Sequence, residues 1–418
     1  MIKPKLIAPL YIIFLLYSNY SYSQNNTPGC TDPNAINYNS IANFNNGTCL
    51  YPISNYMPVH LSDLNDSIKE TSALLFWEHS LWTINDSGNL PYLFQIDTTT
   101  GTIIKKYFIN NYSNIDWEAL AQSEDYIFIG DFGNNAGARQ DLRILRITKT
   151  DISNSLSDTL SADIIQFNYP EQQSFISQNM NTNWDAEAFF YKNDSLHIFT
   201  KDWVNQRTVH YTIPNIIGNH PAQKRDSFDV NGLITDASVD LNGNIILLGY
   251  QFSIDNGFNS FTWLLFDYQN NDFFNGNKRR IELGDVYELG QTEGICFKND
   301  YKGYISAEAF EIASLGINTP PQLHRFDFKP YFTTNSSSSI NDDKKALSVV
   351  IVLPNPSNKG ITIQSPISSK VIIYNNSGYK VWEQEIEKGM HKIDCSHWTK
   401  GTYILKGNKI KTTKFILE

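Results

Sequence analysis

One pattern recurs about every 50 residues between residues 55 and 334. Each copy has a small residue, then an apolar residue, then a turn, and then a strand of alternating apolar and polar residues, as in "WEALAQSEDYIFIGD" and "AEAFFYKNDSLHIFTKD". Alternation with a period of two indicates β-strands with one buried face. A repeat of this size cannot bury its apolar face alone, so neighbouring repeats must pack together. Copies begin at Thr71, Trp117, Ala186, Asp236 and Thr292.

Each copy continues into a third apolar segment, and several continue into a fourth, such as "TIIKKYFI" at 102–109 and "IIQFNYP" at 164–170. Four strands per repeat predict the blades of a β-propeller. The last copy lacks a fourth strand, and "YMPVHL" at 56–61 is available to supply it and close the ring. Five blades are countable, and the long stretch 150–182 could hold a sixth. We therefore expect an all-β fold with a five- or six-bladed propeller at 55–334.

The N-terminus has the features of a secretory signal peptide at residues 1–23. Lys3 and Lys5 precede an apolar run from Leu6 to Tyr17, and "SYS" offers a small-residue cleavage site near Ser23. The run is too short to span a bilayer comfortably. We therefore predict export, with no transmembrane segment after the signal is removed, and keep an uncleaved N-terminal anchor as the alternative.

The segment 24–54 carries Cys30 and Cys49 on either side of a stretch rich in Asn, Asp, Pro and Gly. In an oxidising compartment a Cys30–Cys49 disulfide would restrict this polar segment. The motif "GCTDPNAINYNSIANFNNGTCLY" resembles the short Cys-bounded repeats of exported Bacteroidetes proteins. We expect a disulfide-closed spacer.

The C-terminal end consists of a polar linker at 335–345, "NSSSSINDDKK", and about seven short strands at 346–418. This spacing predicts a small immunoglobulin-like β-sandwich. The motifs "PNPSNKG", "VIIYNNSGYKV", "KGTYIL" and the terminal "TKFILE" resemble the sorting domain of type IX secretion cargo. That resemblance implies the type IX machinery as a partner, and a protein that is secreted or held at the outer-membrane surface.

Composition narrows the classes of ligand. Lys and Arg number 33 against 43 Asp and Glu, a net charge of −10, and no basic stripe is present. Nucleic-acid binding requires such a stripe to replace phosphate counterions, so we expect no nucleic-acid partner.

The repeat places Glu118, Glu187 and Glu293 at corresponding positions, with Ser72 and Ala237 in the other two copies. Because the first strand of each propeller blade lines the channel, these three carboxylates are expected to converge. Three close carboxylates repel one another, which raises some of their pKa values unless a cation is bound. They could therefore hold calcium, act as an acid/base set in hydrolysis, or fix the spacing of the blades through backbone hydrogen bonds.

Four aspartates are secondary candidates. Asp116 and Asp185 flank the glutamates, while Asp86 and Asp131 lie in "NDSGN" and "GDFGNN" after the second strand of their repeats. Both loops are interpreted as turns that could also present carboxylate oxygens to a cation or a sugar. No Ser-His-Asp arrangement and no G-x-S-x-G motif is present.

The openings "DWEAL", "DAEAF" and "TEGICF" resemble those of propellers grouped with phytase-like esterases and lactonases. A complete calcium-and-histidine site of the lactonase type is missing, so the resemblance transfers no activity. We expect a binding module for glycan or protein, and keep as the alternative a calcium-dependent hydrolase of the phosphoesterase, lactonase or glycosidase type.

Overall fold

The computed structural model describes residues 26–253, 257–312, 317–332, 350–375, 379–407 and 410–418. The predicted signal peptide at 1–23 and the predicted linker at 335–345 lie outside these residues. The chain divides into two compact units, Met1–Ser336 and Ser337–Glu418.

Among its described residues the first unit contains five large sheets, each built on four antiparallel strands. In four of them the strands follow one another in chain order, as the repeat predicts. The blades consist of β5 (Leu75–Trp77), β6 (Ser80–Thr83), β7 (Tyr92–Ile96) and β8 (Ile103–Ile109); β9 (Trp117–Gln122), β10 (Tyr126–Asp131), β11 (Arg143–Thr148) and β13 (Asp163–Asn168); β14 (Asp185–Lys192), β15 (Ser195–Lys201), β16 (Thr208–Pro214) and β18 (Gln223–Phe228); β19 (Leu233–Val239), β20 (Ile245–Ser253), β21 (Gly257–Phe266) and β22 (Asn277–Asp285); and β23 (Gln291–Asn299), β24 (Lys302–Glu308) and β27 (Gln322–Asp327) with β4 (Val59–Asp63).

The N-terminal strand β4 closes the ring. It pairs antiparallel with β27, with His60 opposite His324, and so becomes the outermost strand of the fifth blade. This fourth strand from the N-terminus was predicted from "YMPVHL". Because the first and last parts of the repeat region share one sheet, the ring is tied shut by backbone hydrogen bonds.

The first strands of the blades contact one another in cyclic order around the centre, from β5 through β9, β14, β19 and β23 back to β5. Buried side chains fill the space between adjacent blades. Trp117 and Ile127 of the second blade, for example, pack in one cluster with Trp82 and Tyr107 of the first. Apolar alternation in the strands therefore accounts for the packing of blade on blade.

Short parallel strands extend the outer edges of three blades. They are β12 (Thr159–Leu160) on β8, β17 (Gly218–Pro221) on β13, and β3 (Ser54–Asn55) on β22. Covering an outer strand reduces the number of free backbone groups at the sheet edge. The stretch 150–182 contributes β12, β13 and part of the helix α1 (Lys149–Asn154). These elements do not form a sixth sheet, so the described residues of the first unit form a ring of five blades.

The remaining elements of this unit are short. They are the helices α2 (Val286–Leu289) and α3 (Lys329–Phe332), the 3₁₀ turns Asp66–Ile68 and Phe273–Asn275, the two-stranded sheet of β25 (Phe310–Ile312) and β26 (Ile317–Thr319), and the paired strands β1 (Pro28–Gly29) and β2 (Phe44–Asn45). No helix within the described ranges combines the length and the apolar character that crossing a membrane requires.

The Cys-bounded segment packs against the fourth blade. Cys30 and Cys49 form a disulfide, and the Lys278 ammonium donates to the carbonyl oxygen of Gly47 at 3.3 Å. The Asn45 side chain donates to the Asn277 side chain at 3.0 Å. These two hydrogen bonds attach the Cys-bounded segment to the edge of the fourth blade.

The second unit is a sandwich of two antiparallel sheets. Its strands are β28 (Ile351–Leu353), β29 (Gly360–Ser365) and β32 (Gly389–Asp394) in one sheet, and β31 (Lys380–Ile386), β30 (Ser369–Asn375), β33 (Gly401–Gly407) and β34 (Ile410–Leu417) in the other. Buried residues of both sheets, including Ile363 and Phe415, form one core. The alternating pattern predicted this seven-stranded sandwich.

Candidate functional site

A cavity of about 300 Å³ lies at one end of the propeller channel. The first strands of the blades begin at this end and the second strands finish there, because neighbouring strands are antiparallel. We call it the axial cavity. Its walls consist of Ser72, Asp86, Glu118, Asn135, Asn179, Met180, Glu187, Lys201, Trp203, Tyr250, Gln291, Glu293 and Glu308.

The structure brings the three repeated glutamates together in this cavity. Glu118 lies on β9, Glu187 on β14 and Glu293 on β23, and all three are at least nine-tenths buried. They come from three different blades, so a ligand in the cavity would contact several repeats at once. This convergence agrees with the expectation that the first strands line the channel.

A shared β-bulge aims these glutamates at the axis. On β9 the residues before and after Glu118 pair with Asp131 and Gly130, which leaves Glu118 without an opposite residue. The same shift leaves Glu187 and Glu293 unpaired on their strands. A bulge re-aims the side chain of the extra residue and is common beside functional sites. The corresponding bulge on β19 falls at Thr235, two residues before the expected Ala237.

Lys201 supplies the positive charge of the cavity. Its ammonium nitrogen lies 3.2 Å from Glu187 Oε1, and 4.9 Å and 5.3 Å from the ring centroids of Trp203 and Tyr250. Burial alone would lower the pKa of Lys201, but Glu187 and the other neighbouring acidic groups together raise it well above its usual range. Lys201 therefore stays charged and holds Glu187 in place.

Most carboxyl groups around the cavity have raised pKa values. Burial is the main cause for Glu118, and its negative neighbours, led by Glu187, raise its pKa further. Burial also raises the pKa of Glu293. Burial and the charge of Glu293 raise the pKa of Glu308 to about 9, and burial with the charge of Asp86 raises that of Asp116 to about 7. Protonated and ionised carboxyl groups therefore coexist here near neutral pH.

One group of acids has the spacing of a cation site. Asp86, Asp116 and Glu118 each offer an oxygen, and these oxygens lie within 4.8 Å of one another. Gly133 packs directly against this group: a Cβ added at Gly133 would lie 2.1 Å from Glu118 Oε1 and 2.5 Å from Asp116 Oδ2. Carboxylate oxygens are the ligands that calcium prefers. Of the three glutamates predicted to hold calcium, Glu118 alone belongs to this group, and the calcium site stays a prediction.

The two remaining aspartate candidates lie outside the cavity wall. The Asp131 carboxylate is fully buried and pairs with Arg139 at 3.1 Å and with Arg143 at 2.7 Å. Asp185 accepts hydrogen bonds from the Trp203 indole at 2.7 Å and from the Asn134 backbone N–H at 2.5 Å. Both carboxylates have partners within the protein, so they position neighbouring chain segments.

Two charged residues of the cavity were not predicted from the sequence, because they lie on the second strands of the repeat and not on the first. Lys201 and Glu308 end the second strands β15 and β24, and Asp86 follows β6 in the same way. The polar residue at the end of each alternating second strand was the available signal, because that end faces the same side as the start of the first strand.

The opposite end of the channel has a different lining. A pocket of about 70 Å³ there is surrounded largely by apolar side chains, among them Leu74, Phe76, Leu120 and Phe297. The carboxylates of the first strands therefore belong to one end of the ring, and polar ligands are expected only at that end.

The comparison with known proteins gives its clearest result for the second unit. Residues 351–418 match the family of secretion system C-terminal sorting domains. This segment is a type IX sorting domain. The match supports export to the outside of the cell or to its surface, and it covers none of the propeller. A search of curated proteins found no match to the chain.

Solved structures with similar folds are distant in sequence. PorZ, a surface component of the type IX secretion system of Porphyromonas gingivalis, is 14% identical over 90% of this chain and 48% of its own, with a TM-score of 0.31, so the chain spans about half of PorZ. The α-L-arabinofuranosidase of Podospora anserina, in complex with cellotriose, is 10% identical over 66% and 98% of the two chains, with a TM-score of 0.39. The aldose sugar dehydrogenase of Streptomyces coelicolor, bound to PQQ, is 8% identical over 64% and 95%, with a TM-score of 0.36. None of these similarities transfers an activity or a ligand.

Proposed function

We propose that this exported propeller is a binding protein that holds a neutral sugar residue, the end of a glycan, in the axial cavity. The observation that carries this proposal is the convergence of Glu118, Glu187 and Glu293 from three blades in one small polar cavity. A volume of about 300 Å³ is at the low end of small-molecule sites, which favours one sugar residue over a protein surface.

The lining has the chemistry that sugar hydroxyl groups need. Ionised carboxylates accept hydrogen bonds, and protonated ones such as Glu308 also donate. The side-chain amides of Asn135, Asn179 and Gln291 both donate and accept. Tyr250 adds an aromatic surface for the apolar face of the ring. Every hydroxyl group of a sugar would therefore find a partner of suitable type.

Charge restricts the ligand further. Among the described residues that line the cavity, the carboxyl groups are Asp86, Glu118, Glu187, Glu293 and Glu308, and the only cationic one is Lys201. Lys201 is already paired with Glu187. Phosphorylated or carboxylated ligands would be repelled by those of the carboxyl groups that are ionised. Neutral or positively charged sugars are expected to bind, and anionic ones are not.

A glycan array tests this proposal. The purified protein is applied with two variants, Glu293→Gln in the cavity and Asp300→Asn, an exposed acid in the turn between β23 and β24 at the opposite end of the ring. Binding to neutral glycans that is lost in Glu293→Gln and kept in Asp300→Asn supports the proposal. Binding that neither variant changes would place the ligand elsewhere.

A second candidate is the metal-dependent hydrolase. The cluster of Asp86, Asp116 and Glu118 favours it, together with a protonated Glu308 that could serve as the acid, beside a Glu187 carboxyl group that lies 3.2 Å from the Lys201 ammonium. Phosphate-ester, lactone and aryl-glycoside substrates test for turnover. Activity that chelation removes and calcium restores would favour the hydrolase, whereas an unchanged melting temperature on chelation would argue against a calcium site.

A further inference from the structure

Two hairpins extend the propeller at the mouth of the axial cavity. Strands β20 and β21 have nine and ten residues, whereas the second and third strands of the other blades have four to seven. The surplus length lies at the end of β20 that carries Tyr250, a cavity residue. In the fifth blade β25 and β26 form a second extension, which begins two residues after Glu308, also a cavity residue.

Aromatic side chains run outward along these hairpins. Tyr250 and Phe252 are two residues apart on β20 and so share one face, and Phe258 lies directly opposite Phe252 on β21. The ring centroids of Tyr250 and Phe258 are 5.8 Å apart, those of Phe252 and Phe258 4.9 Å, and those of Phe258 and Phe310 5.9 Å. Each ring contacts the next, so the series is continuous from Tyr250 in the cavity wall to Phe252 and Phe310.

The outer end of this series is open to solvent. Tyr250 is 8% exposed, while Phe252 is 57% exposed. Phe252 belongs to a cluster of aromatic rings beside a polar cavity, whereas isolated exposed apolar residues are normal on any surface. An exposed aromatic cluster that is continuous with a ligand cavity is suited to contact the part of the ligand that leaves the cavity.

We propose that Phe252, Phe258 and Phe310 form an aromatic platform that stacks the second and later residues of a glycan whose terminal residue occupies the axial cavity. This proposal rests on the proposed function of the cavity. Pyranose rings present apolar faces, and aromatic rings offer them flat surfaces without requiring charge. The platform therefore selects an extended chain over a single sugar.

Chain length provides the test. Xylo-, cello- and N-acetylchito-oligosaccharides of one to five residues are titrated calorimetrically into the protein and into Phe252→Ala. We expect the affinity of the wild-type protein to rise about 5- to 10-fold between the monosaccharide and the longer chains, the effect of one aromatic stacking contact. Phe252→Ala should lose this gain and keep its affinity for the monosaccharide.

A matched control lies on the same blade. Leu241 is 99% exposed in the turn between β19 and β20, at the end of the ring away from the cavity. Leu241→Ala removes a similar exposed side chain and should keep the full gain with length.

The outcomes separate the two proposals. Monosaccharide binding without a gain for longer chains, or a gain that survives in Phe252→Ala, overturns the platform and leaves the cavity as a sugar site. Absence of binding to every sugar overturns the proposed function and the platform with it.

Discussion

Lys201→Met is the substitution that probes the electrostatics of the axial cavity most sharply. Methionine is an unbranched side chain one atom shorter than lysine and carries no charge, so Glu187 loses the ammonium 3.2 Å from its Oε1 atom. Removing one partner of a buried ion pair costs about 3–5 kcal/mol when the other partner remains charged. Glu187 is almost fully buried, so we expect a cost in this range at pH 8.

The loss of stability caused by Lys201→Met should increase as the pH rises. A glutamate whose folded-state pKa is raised contributes stability at low pH that is lost as the pH rises through that pKa. Burial already raises the pKa of Glu187 in the wild-type protein, and Lys201 opposes that rise. Removing Lys201 therefore raises this pKa further, at a cost of about 1.4 kcal/mol per unit of further rise at high pH, and the cost shrinks as the pH falls. The destabilisation should therefore fall to about 1 kcal/mol at pH 5.

Guanidinium-induced unfolding of the propeller at pH 5 and pH 8 measures both values. Lys224→Met, an exposed lysine on β18, is the control and should change the free energy of unfolding by less than about 0.5 kcal/mol at either pH. Equal destabilisation by Lys201→Met at both pH values would show that the cost is one of packing, and would refute the electrostatic account.

Three further substitutions follow from the same geometry. Glu308→Gln cannot titrate, whereas wild-type Glu308 has a folded-state pKa of about 9; calorimetry should show the variant gaining about 1.4 kcal/mol relative to wild type for each pH unit between pH 5 and pH 8. Gly133→Ala places a methyl group against Glu118, so chemical denaturation should report a loss of about 1–3 kcal/mol, with sugar binding abolished. Truncation after Asn341 removes the sorting domain, and cell fractionation should find the protein in the periplasm; normal appearance outside the cell would contradict the sorting role.

The ring could be predicted because its pattern is local. Alternating residues in each repeat mark the strands, and the missing fourth strand of the last repeat indicated closure by residues 56–61, where the structure has Val59–Asp63. The strand Gln223–Phe228 was not predicted because it is polar and largely exposed or half-buried, so it lacks an alternating pattern.

The site was predicted only in part. Glu118, Glu187 and Glu293 stand out because they recur with the repeat, but the bulge that aims them depends on pairing with the next strand and leaves no mark on the sequence. Asp131 was a candidate ligand residue. In the structure it pairs with Arg139 and Arg143, and the spacing of these arginines from Asp131 along the chain is not part of the repeat.

The central claim is that a sugar residue binds between the carboxylates of three blades. A crystal structure of the protein soaked with its best-binding neutral oligosaccharide measures this directly. We predict electron density for one sugar ring in the axial cavity, within hydrogen-bonding distance of Glu118, Glu187 and Glu293, with the next ring against Phe252. Density for the sugar on another face of the propeller, with the axial cavity holding only water, would contradict the claim.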